Sequence, residues 1–353
     1  MVVHRRVTLE DVAQAAGVSS ATASRALNNR TEVHPETRAQ VQLAAARLGF
    51  FKRTYKKDNG PSPAAKTIGL VTSDPGGRFS MQVLAGAENS MDVGSIEVLL
   101  CSTRNDIIRE NHYVNALAGR KVDGIIVVGS WTNHRAPLPI SGIPTAYVMS
   151  PSQDESDLSF VPDDYQGGCL AARHLLTLGR TRIAVITGPE LWKSSRDRAL
   201  GAVDTGHELG VELVEQPLYG SDWTRDWGRS ATEMLLRKHS EVDAILCGSD
   251  QIADGALQTL LGRGMRVPAD ISVMGYDNWS PFCEDNRPRL TSIDMNIESL
   301  GRQAALSILR PEAVPFSGVF KQPPQLIIRE STVPLTESTG QGGLQPPEDR
   351  QEA

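Results

Sequence analysis

The chain has 353 residues, 40% hydrophobic and 22% charged, with a formal net charge of −6. At about 100–200 residues per domain this length points to two or three domains, and the composition excludes disorder over most of them. Cys101, Cys169, Cys247 and Cys283 lack disulfide or metal spacing, and the most apolar run, GIIVVG at 124–129, is far short of the roughly 20 residues that span a bilayer.

The net charge hides an asymmetry. Residues 1–60 hold ten Lys or Arg and five Asp or Glu, a net +5, which leaves −11 on the remainder. A small cationic head on an acidic body attracts a polyanion locally while the body stays soluble. The opening MVVHRRVTLEDV has two arginines with no apolar run behind them, so no export signal is expected and the protein is placed in the cytoplasm.

The first elements are two short helices in VTLEDVAQAAGVSSATASRALN (7–28). Thr8 and Asp11 form a capping-box pattern, and Leu9, Val12, Ala13 and Ala16 give a helical apolar face. Gly17 ends this helix, Val18 packs the turn, and Ser19 caps a second helix over Ser20–Leu27, with Ala23, Ala26 and Leu27 inward. A third helix is expected from Pro35 to Leu48, with Val41, Leu43, Ala44 and Leu48 at helical spacing. This is helix-turn-helix spacing, whose second helix enters the major groove. Ser20, Ala21, Thr22 and Arg25 then face the bases. Arg25 either pairs with a guanine edge or touches only phosphate. Thr8, Ser19, Thr22, Ser24, Asn28 and Thr37 are suited to phosphate oxygens. The competing reading is a small helical protein-interaction module with capping serines.

KKDNGPSPAAK (56–66) cannot continue a helix, so residues 51–66 read as a linker. Beyond it, seven apolar runs (67–73, 95–102, 122–129, 143–149, 181–188, 242–249 and 271–277) alternate with helical stretches at 79–91, 109–120, 164–179, 227–238 and 251–264. Buried parallel strands look like these runs, and the alternation implies βαβ units in doubly wound sheets, too many for one sheet and naturally divided into two lobes. Residues 336–353 read as a disordered tail. No GxGxxG opening a helix, P-loop or GxSxG occurs, and the histidines lack ligand spacing, so no enzyme, metal or cofactor is expected.

The sequence resembles the LacI/GalR family of bacterial transcription regulators. Besides residues 7–28, the matching stretches are VHPETRAQVQLAAARLGF (33–50), VLLCSTRNDIIRENHYVNALAGRKVDGIIV (98–127), HLLTLGRTRIAVITGP (174–189), SRDRALGA (195–202), CGSDQIADGALQTLLGRGMRVPADISVMGYDN (247–278) and PRLTSIDMNIESLG (288–301). The resemblance implies a three-helix DNA-binding head (1–50), a hinge (51–66) and a periplasmic-binding-protein-like core (67–335) of two doubly wound parallel sheets. Its lobes, crossed by three strands, fall at about 67–161 with 294–322, and 162–293 with 323–335. It also implies a repressor of carbohydrate-utilisation genes with a sugar effector. The hinge departs from the family's P-N-x-x-A-x-x-L pattern: Lys52 stands at the proline and Asn59 near the lever leucine. The basic Lys52, Arg53, Lys56 and Lys57 bind phosphates instead, or form a solvated linker.

Ligands of such a core lie at the carboxyl ends of the strands. Ser73 and Asp74 follow the first strand, Phe79 stands at the family's pocket aromatic, and Met149 replaces an acidic residue of many relatives. The family uses the arginine at Arg198 for ligand hydroxyls or carboxylates; Asp197 or Asp226 could instead pair it structurally. Ser249, Asp250 and Asp277 end two later strands, and carboxylates beside an arginine suit a polyol. Trp223 offers a face to a sugar ring or a base, or packs the lobe. Because one small head makes few DNA contacts, a homodimer on a pseudo-palindromic operator is expected. A nucleoside effector, a co-repressor mode and a transport binding protein are the alternatives.

Overall fold

A computed structural model describes residues 8–27, 33–34, 37–38, 40–41, 44–45, 65–74, 76–92, 94–313 and 317–333. The chain divides into two compact units, one ending at Ala64 and one beginning at Ala65. Most of the hinge, with Lys52 and Arg53, lies outside the described residues, as do Asn28 and the tail.

In the first unit, α1 (Leu9–Ala15) starts at Thr8, whose hydroxyl and backbone N–H both engage the Asp11 carboxylate, at 2.8 and 2.7 Å. Gly17 at φ +65 turns the chain into α2 (Ser20–Leu27), whose start Ser19 caps by accepting the Thr22 N–H at 3.1 Å. Val12, Ala13, Ala23, Ala26, Val33, Val41, Ala44 and Ala45 form its buried core, and the small alanines let the helices approach closely. The third expected helix is helical at its described residues, 37–38, 40–41 and 44–45.

The second unit runs β1 (Lys66–Thr72), α3 (Ser80–Glu88), β2 (Ile96–Ser102), α4 (Ile107–Gly119), β3 (Gly124–Val128), β4 (Thr145–Val148), β5 (Leu158–Pro162), α5 (Asp164–Thr177), β6 (Ile183–Thr187) and α6 (Lys193–Glu208). It continues through β7 (Leu218–Tyr219), α7 (Arg225–Lys238), β8 (Ala244–Cys247), α8 (Asp250–Gly262), β9 (Ser272–Tyr276), α9 (Ser280–Cys283), β10 (Thr291–Asp294), α10 (Ile297–Leu309), β11 (Gly318–Gln322) and β12 (Gln325–Ile327). One sheet is ordered β11-β5-β4-β3-β1-β2 and the other β12-β10-β9-β8-β6-β7, with every pairing parallel except β10 with β12. The chain changes sheet after β5, after β10 and after β11, so three segments join two lobes. Strands β3, β6 and β9 are buried at every residue, which is why they read as unbroken apolar runs.

Three helix pairs meet at reciprocal glycines. A Cβ on Gly168 of α5 would stand 2.1 Å from the Arg198 carbonyl, and one on Gly201 of α6 would stand 2.1 Å from that of Tyr165. Gly86 and Gly301 repeat the arrangement between α3 and α10, as do Gly228 and Gly255 between α7 and α8. Backbone contact at the α5–α6 crossing brings the side chains of Asp164 and Arg198 together.

Candidate ligand cleft and DNA-binding face

On α2, Ser20, Ala21 and Arg25 are exposed while Thr22 and Ser24 are half-buried. Ala21 and Arg25 stand one turn apart on one face, so a short and a long side chain share the same edge. The hydroxyls of Ser19 and Thr22 lie 2.9 Å apart within the cap, and that of Thr8 closes the first capping box, so these three shape helix starts in the free protein.

The second unit holds a cavity of about 480 Å³ between its two sheets, at the carboxyl ends of their strands. Seven of the nine expected ligand residues line it: Asp74, Phe79, Met149, Arg198, Trp223, Ser249 and Asp277. The other two do not. Ser73 turns into a neighbouring cavity, its hydroxyl 3.1 Å from that of Ser130. Asp250 is fully buried behind the wall, accepting from the Trp279 N–H and the Ser292 hydroxyl, both at 2.7 Å. It therefore shapes the Asp277–Trp279 turn, because the first residue of a helix points its carboxylate back toward that helix's own start.

Two of the lining residues have structural tasks as well. Asp74 accepts the backbone N–H groups of Phe79 at 2.7 Å and Ser80 at 3.1 Å, capping α3 from outside the helix. Ser249 caps α8 through the Ile252 N–H at 3.3 Å. Met149 sits in the left-handed region at φ 72, and Asp277 at φ 107, conformations that cost about 1–3 kcal/mol each and gather where a site must be shaped.

Arg198 organises the floor. Its Nε donates to Asp164 at 2.8 Å, one terminal nitrogen to the Gly248 carbonyl at 2.6 Å, and its guanidinium lies 3.8 Å from the Tyr276 ring centre. Asp277 is 3.5 Å from the same guanidinium. The structural partners are thus Asp164 and Asp277, not Asp197 or Asp226, which take Lys193 and Arg229. Burial pushes the Asp164 carboxyl up from its ordinary value, with Arg198 pulling back, while surrounding Asp164, Tyr276 and Asp277 outweigh the burial of Arg198 and hold its charge firmly.

The cavity also has an aromatic wall, of which only Phe79 and Trp223 were expected. Trp131, Trp192 and Trp279 join Trp223 and Phe79 around the cavity. Trp192 lies 5.4 Å from Trp131 and 5.6 Å from Trp223, centre to centre. Trp192 and Trp279 are helix N-caps in loops, and nothing local in the sequence aims loop tryptophans at one point.

Asp250 gives the core a pH dependence. Burial, and then the neighbouring Asp277 charge, push its carboxyl up to about 7 from 3.8. The folded chain holds this proton more tightly than the unfolded chain, so its contribution to stability is greatest below about pH 4 and declines as pH rises toward 7. D250N should flatten the urea-unfolding midpoint between pH 4 and 7 and raise it at pH 7. All five tryptophans lie between residues 131 and 279, so their fluorescence follows this unit alone. An unchanged slope would assign the titration elsewhere.

Residues 8–52 match the family of bacterial regulatory proteins of the lacI type, and residues 172–332 match a periplasmic binding protein-like domain. The chain is 30% identical over 340 residues to the HTH-type transcriptional regulator DegA of Bacillus subtilis (strain 168), covering 94% of this chain and 99% of that one. It is 29% identical over 314 residues to the HTH-type transcriptional repressor PurR of Pectobacterium carotovorum subsp. carotovorum, covering 86% and 89%. Among solved structures, the transcriptional regulator CelR–cellobiose complex superposes with a TM-score of 0.63 at 29% identity, over 92% of this chain and 100% of that one. Helix-turn-helix head, two-lobed core and full-length similarity agree: the chain belongs to the LacI family of DNA-binding transcriptional regulators.

Proposed function

We infer that the chain represses carbohydrate-utilisation genes and releases its operator when a neutral sugar enters the cleft. The observation that carries this is an aromatic wall over a charge-balanced floor. Among the described residues, Arg78 and Arg198 each face a carboxylate, Asp277 and Asp164, so the floor carries no net positive charge to select an anionic ligand, while four indoles and Phe79 offer faces to the C–H faces of sugar rings. The Thr132 hydroxyl, at this wall, is buried with no partner among the described residues, a cost that a ligand hydroxyl would offset. CelR is solved as a complex with cellobiose, and a planar nucleobase would use the same indole faces.

On this reading residues 1–50 form the DNA-binding domain, 51–66 the hinge and 67–335 the sensor, with Ser20, Ala21 and Arg25 at the bases and the cavity residues on the ligand. The protein acts in the cytoplasm, as a regulator and not a catalyst. A homodimer supplies the second head. Leu99 and Leu100 on the edge strand β2, with Ile107 and Ile108 (63% and 76% exposed) at the start of α4, give lobe 1 an apolar surface for a second copy.

The test is a thermal-shift screen of the full chain with neutral mono- and disaccharides, sugar phosphates and purine bases, repeated on operator DNA. A ligand at about 100 times its Kd adds about 2.7 kcal/mol, a rise of several degrees. A neutral sugar should give that rise and free the DNA. Stabilisation by a purine or a sugar phosphate alone would overturn the reading.

A further inference from the structure

Arg78 lies in the loop after β1, on lobe 1, and Asp277 in the turn after β9, on lobe 2. Although 199 positions apart, their side chains form an ion pair across the cleft, 15% and 5% exposed respectively. The Arg78 guanidinium is also sandwiched, 5.1 Å from the Phe79 ring centre on its own lobe and 4.6 Å from that of Trp279 on the other. Each lobe therefore contributes one aromatic face, and lobe 2 the carboxylate. A cation held between two rings and a carboxylate, away from water, is attracted by both at reduced screening.

Both halves of this contact stand on hydrogen-bonded turns. The turn that presents Asp277 is pinned by its neighbour Asn278, which donates to Ser292 and Asp294, each at 3.0 Å, and accepts from Arg329 at 2.8 Å. On the other side, Asp74 accepts the N–H groups of Gly76 at 3.3 Å, Phe79 at 2.7 Å and Ser80 at 3.1 Å, so the part free to swing out of the cleft is the long Arg78 side chain and not its loop. At another part of the cleft, the Asn133 side chain of lobe 1 donates to the Leu191 carbonyl at 3.2 Å and accepts the Lys193 N–H at 2.7 Å, beside the cross-lobe Trp131–Trp192 pair. Both sets of contacts join the two lobes directly.

We propose that Arg78 is a latch that holds the two lobes together across the cleft, and so sets the concentration at which ligand acts. Ligand binding then shifts an equilibrium that this chain has already biased. An effector that enters a closed cleft must first find the latch open, so the latch reduces apparent affinity by the fraction of time it is shut. Arg78 acts here as a positioning residue, and the inference holds whichever ligand fills the cavity.

The test needs no ligand, so a direct contact between Arg78 and ligand cannot produce the result. Trp131 and Trp192 couple across the lobes, and the far-ultraviolet circular dichroism of the full chain minus that of W131F isolates their exciton couplet. In R78M, which keeps the stem between Phe79 and Trp279 and removes the charge, the corresponding difference against R78M/W131F should fall by half or more. D277N should cause a comparable fall, and R78M/D277N no more than the larger single loss, since the two partners act as one unit. An undiminished couplet in R78M, or additive losses in the double variant, would overturn the latch. Should R78M fail to fold, R78K carries the test: it keeps the charge but not the planar stack, so a partial fall is expected and full retention counts against the sandwiched guanidinium.

Discussion

Replacing Arg198 with alanine should destabilise the core by about 3–5 kcal/mol, the usual cost of removing one partner of a buried ion pair. The guanidinium is surrounded by Asp164, Asp277, the Gly248 carbonyl and the Tyr276 ring, and alanine replaces none of these contacts. Asp164 would be left almost fully buried without its cation. Burial already raises its carboxyl, and loss of Arg198 would raise it further. The folded variant would then hold a proton that the unfolded chain releases, so its deficit should widen as pH rises above about 4. Urea unfolding followed by tryptophan fluorescence at pH 5 and pH 8 measures this directly. R198M/D164N, which removes both charges and restores volume, should recover most of the stability while remaining unable to respond to ligand. Equal midpoints for R198A and wild type at both pH values would show that Arg198 serves the ligand alone.

That double variant matters because a plain alanine change confounds two roles. The sequence marks Arg198 as a donor for ligand, with Asp197 and Asp226 as its nearby acidic candidates, and it has no means of pointing to Asp164, 34 positions away on another helix. The partnership is created by the Gly168 and Gly201 crossing, which is a tertiary event. The same distinction separates what could be read from what could not across the fold. Strands buried on both faces, such as β3 and β6, announce themselves as continuous apolar runs, and the seven expected runs hold β1, β2, β3, β4, β6, β8 and β9. Five strands went unread: β7 has two residues, β12 three, β11 alternates exposed and buried positions, and β5 (LSFVP) and β10 (TSID), though interior to their sheets, are interrupted by polar residues or proline and so make no continuous apolar run. Helix α6 also escaped, since eight of its sixteen residues are buried but most of those are small or polar and leave little amphipathic signal.

In the cleft, residues immediately after strand ends were readable because the architecture fixes where they point, which is why Asp74, Ser249 and Asp277 reach the wall. Register explains one of the two misses: Ser73 and Asp74 are adjacent at the end of a strand and point to opposite sides, so Asp74 meets the cavity and Ser73 turns away, whereas Asp250 opens α8 and its carboxylate is held behind the wall by the Trp279 N–H and the Ser292 hydroxyl. Arg78, Trp131, Trp192 and Trp279 stand in loops, where no period constrains direction. Their convergence depends on how two lobes meet, a property of contacts between segments far apart in the chain.

On the DNA side, R25A should lower affinity for the operator about 10- to 100-fold, with ligand affinity of the core unchanged. Arg25 is exposed on the same face of α2 as Ala21, and it is the long donor on that face, able to reach both acceptors on the major-groove edge of a guanine. A lost bidentate base contact is worth about 1–3 kcal/mol of discrimination, whereas a lost phosphate contact weakens binding to all sequences alike and reduces the salt slope by about one. Fluorescence anisotropy with an operator selected from random duplexes and with a scrambled duplex, each over a series of salt concentrations, separates the two. Base reading predicts a large loss on the operator, little on the scrambled duplex and an unchanged salt slope. A uniform loss with a shallower slope would make Arg25 a phosphate contact and move sequence reading to Ser20, Ala21 and DNA shape. Short side chains reach little of a base edge, so that outcome would also imply an operator recognised mainly through its deformability.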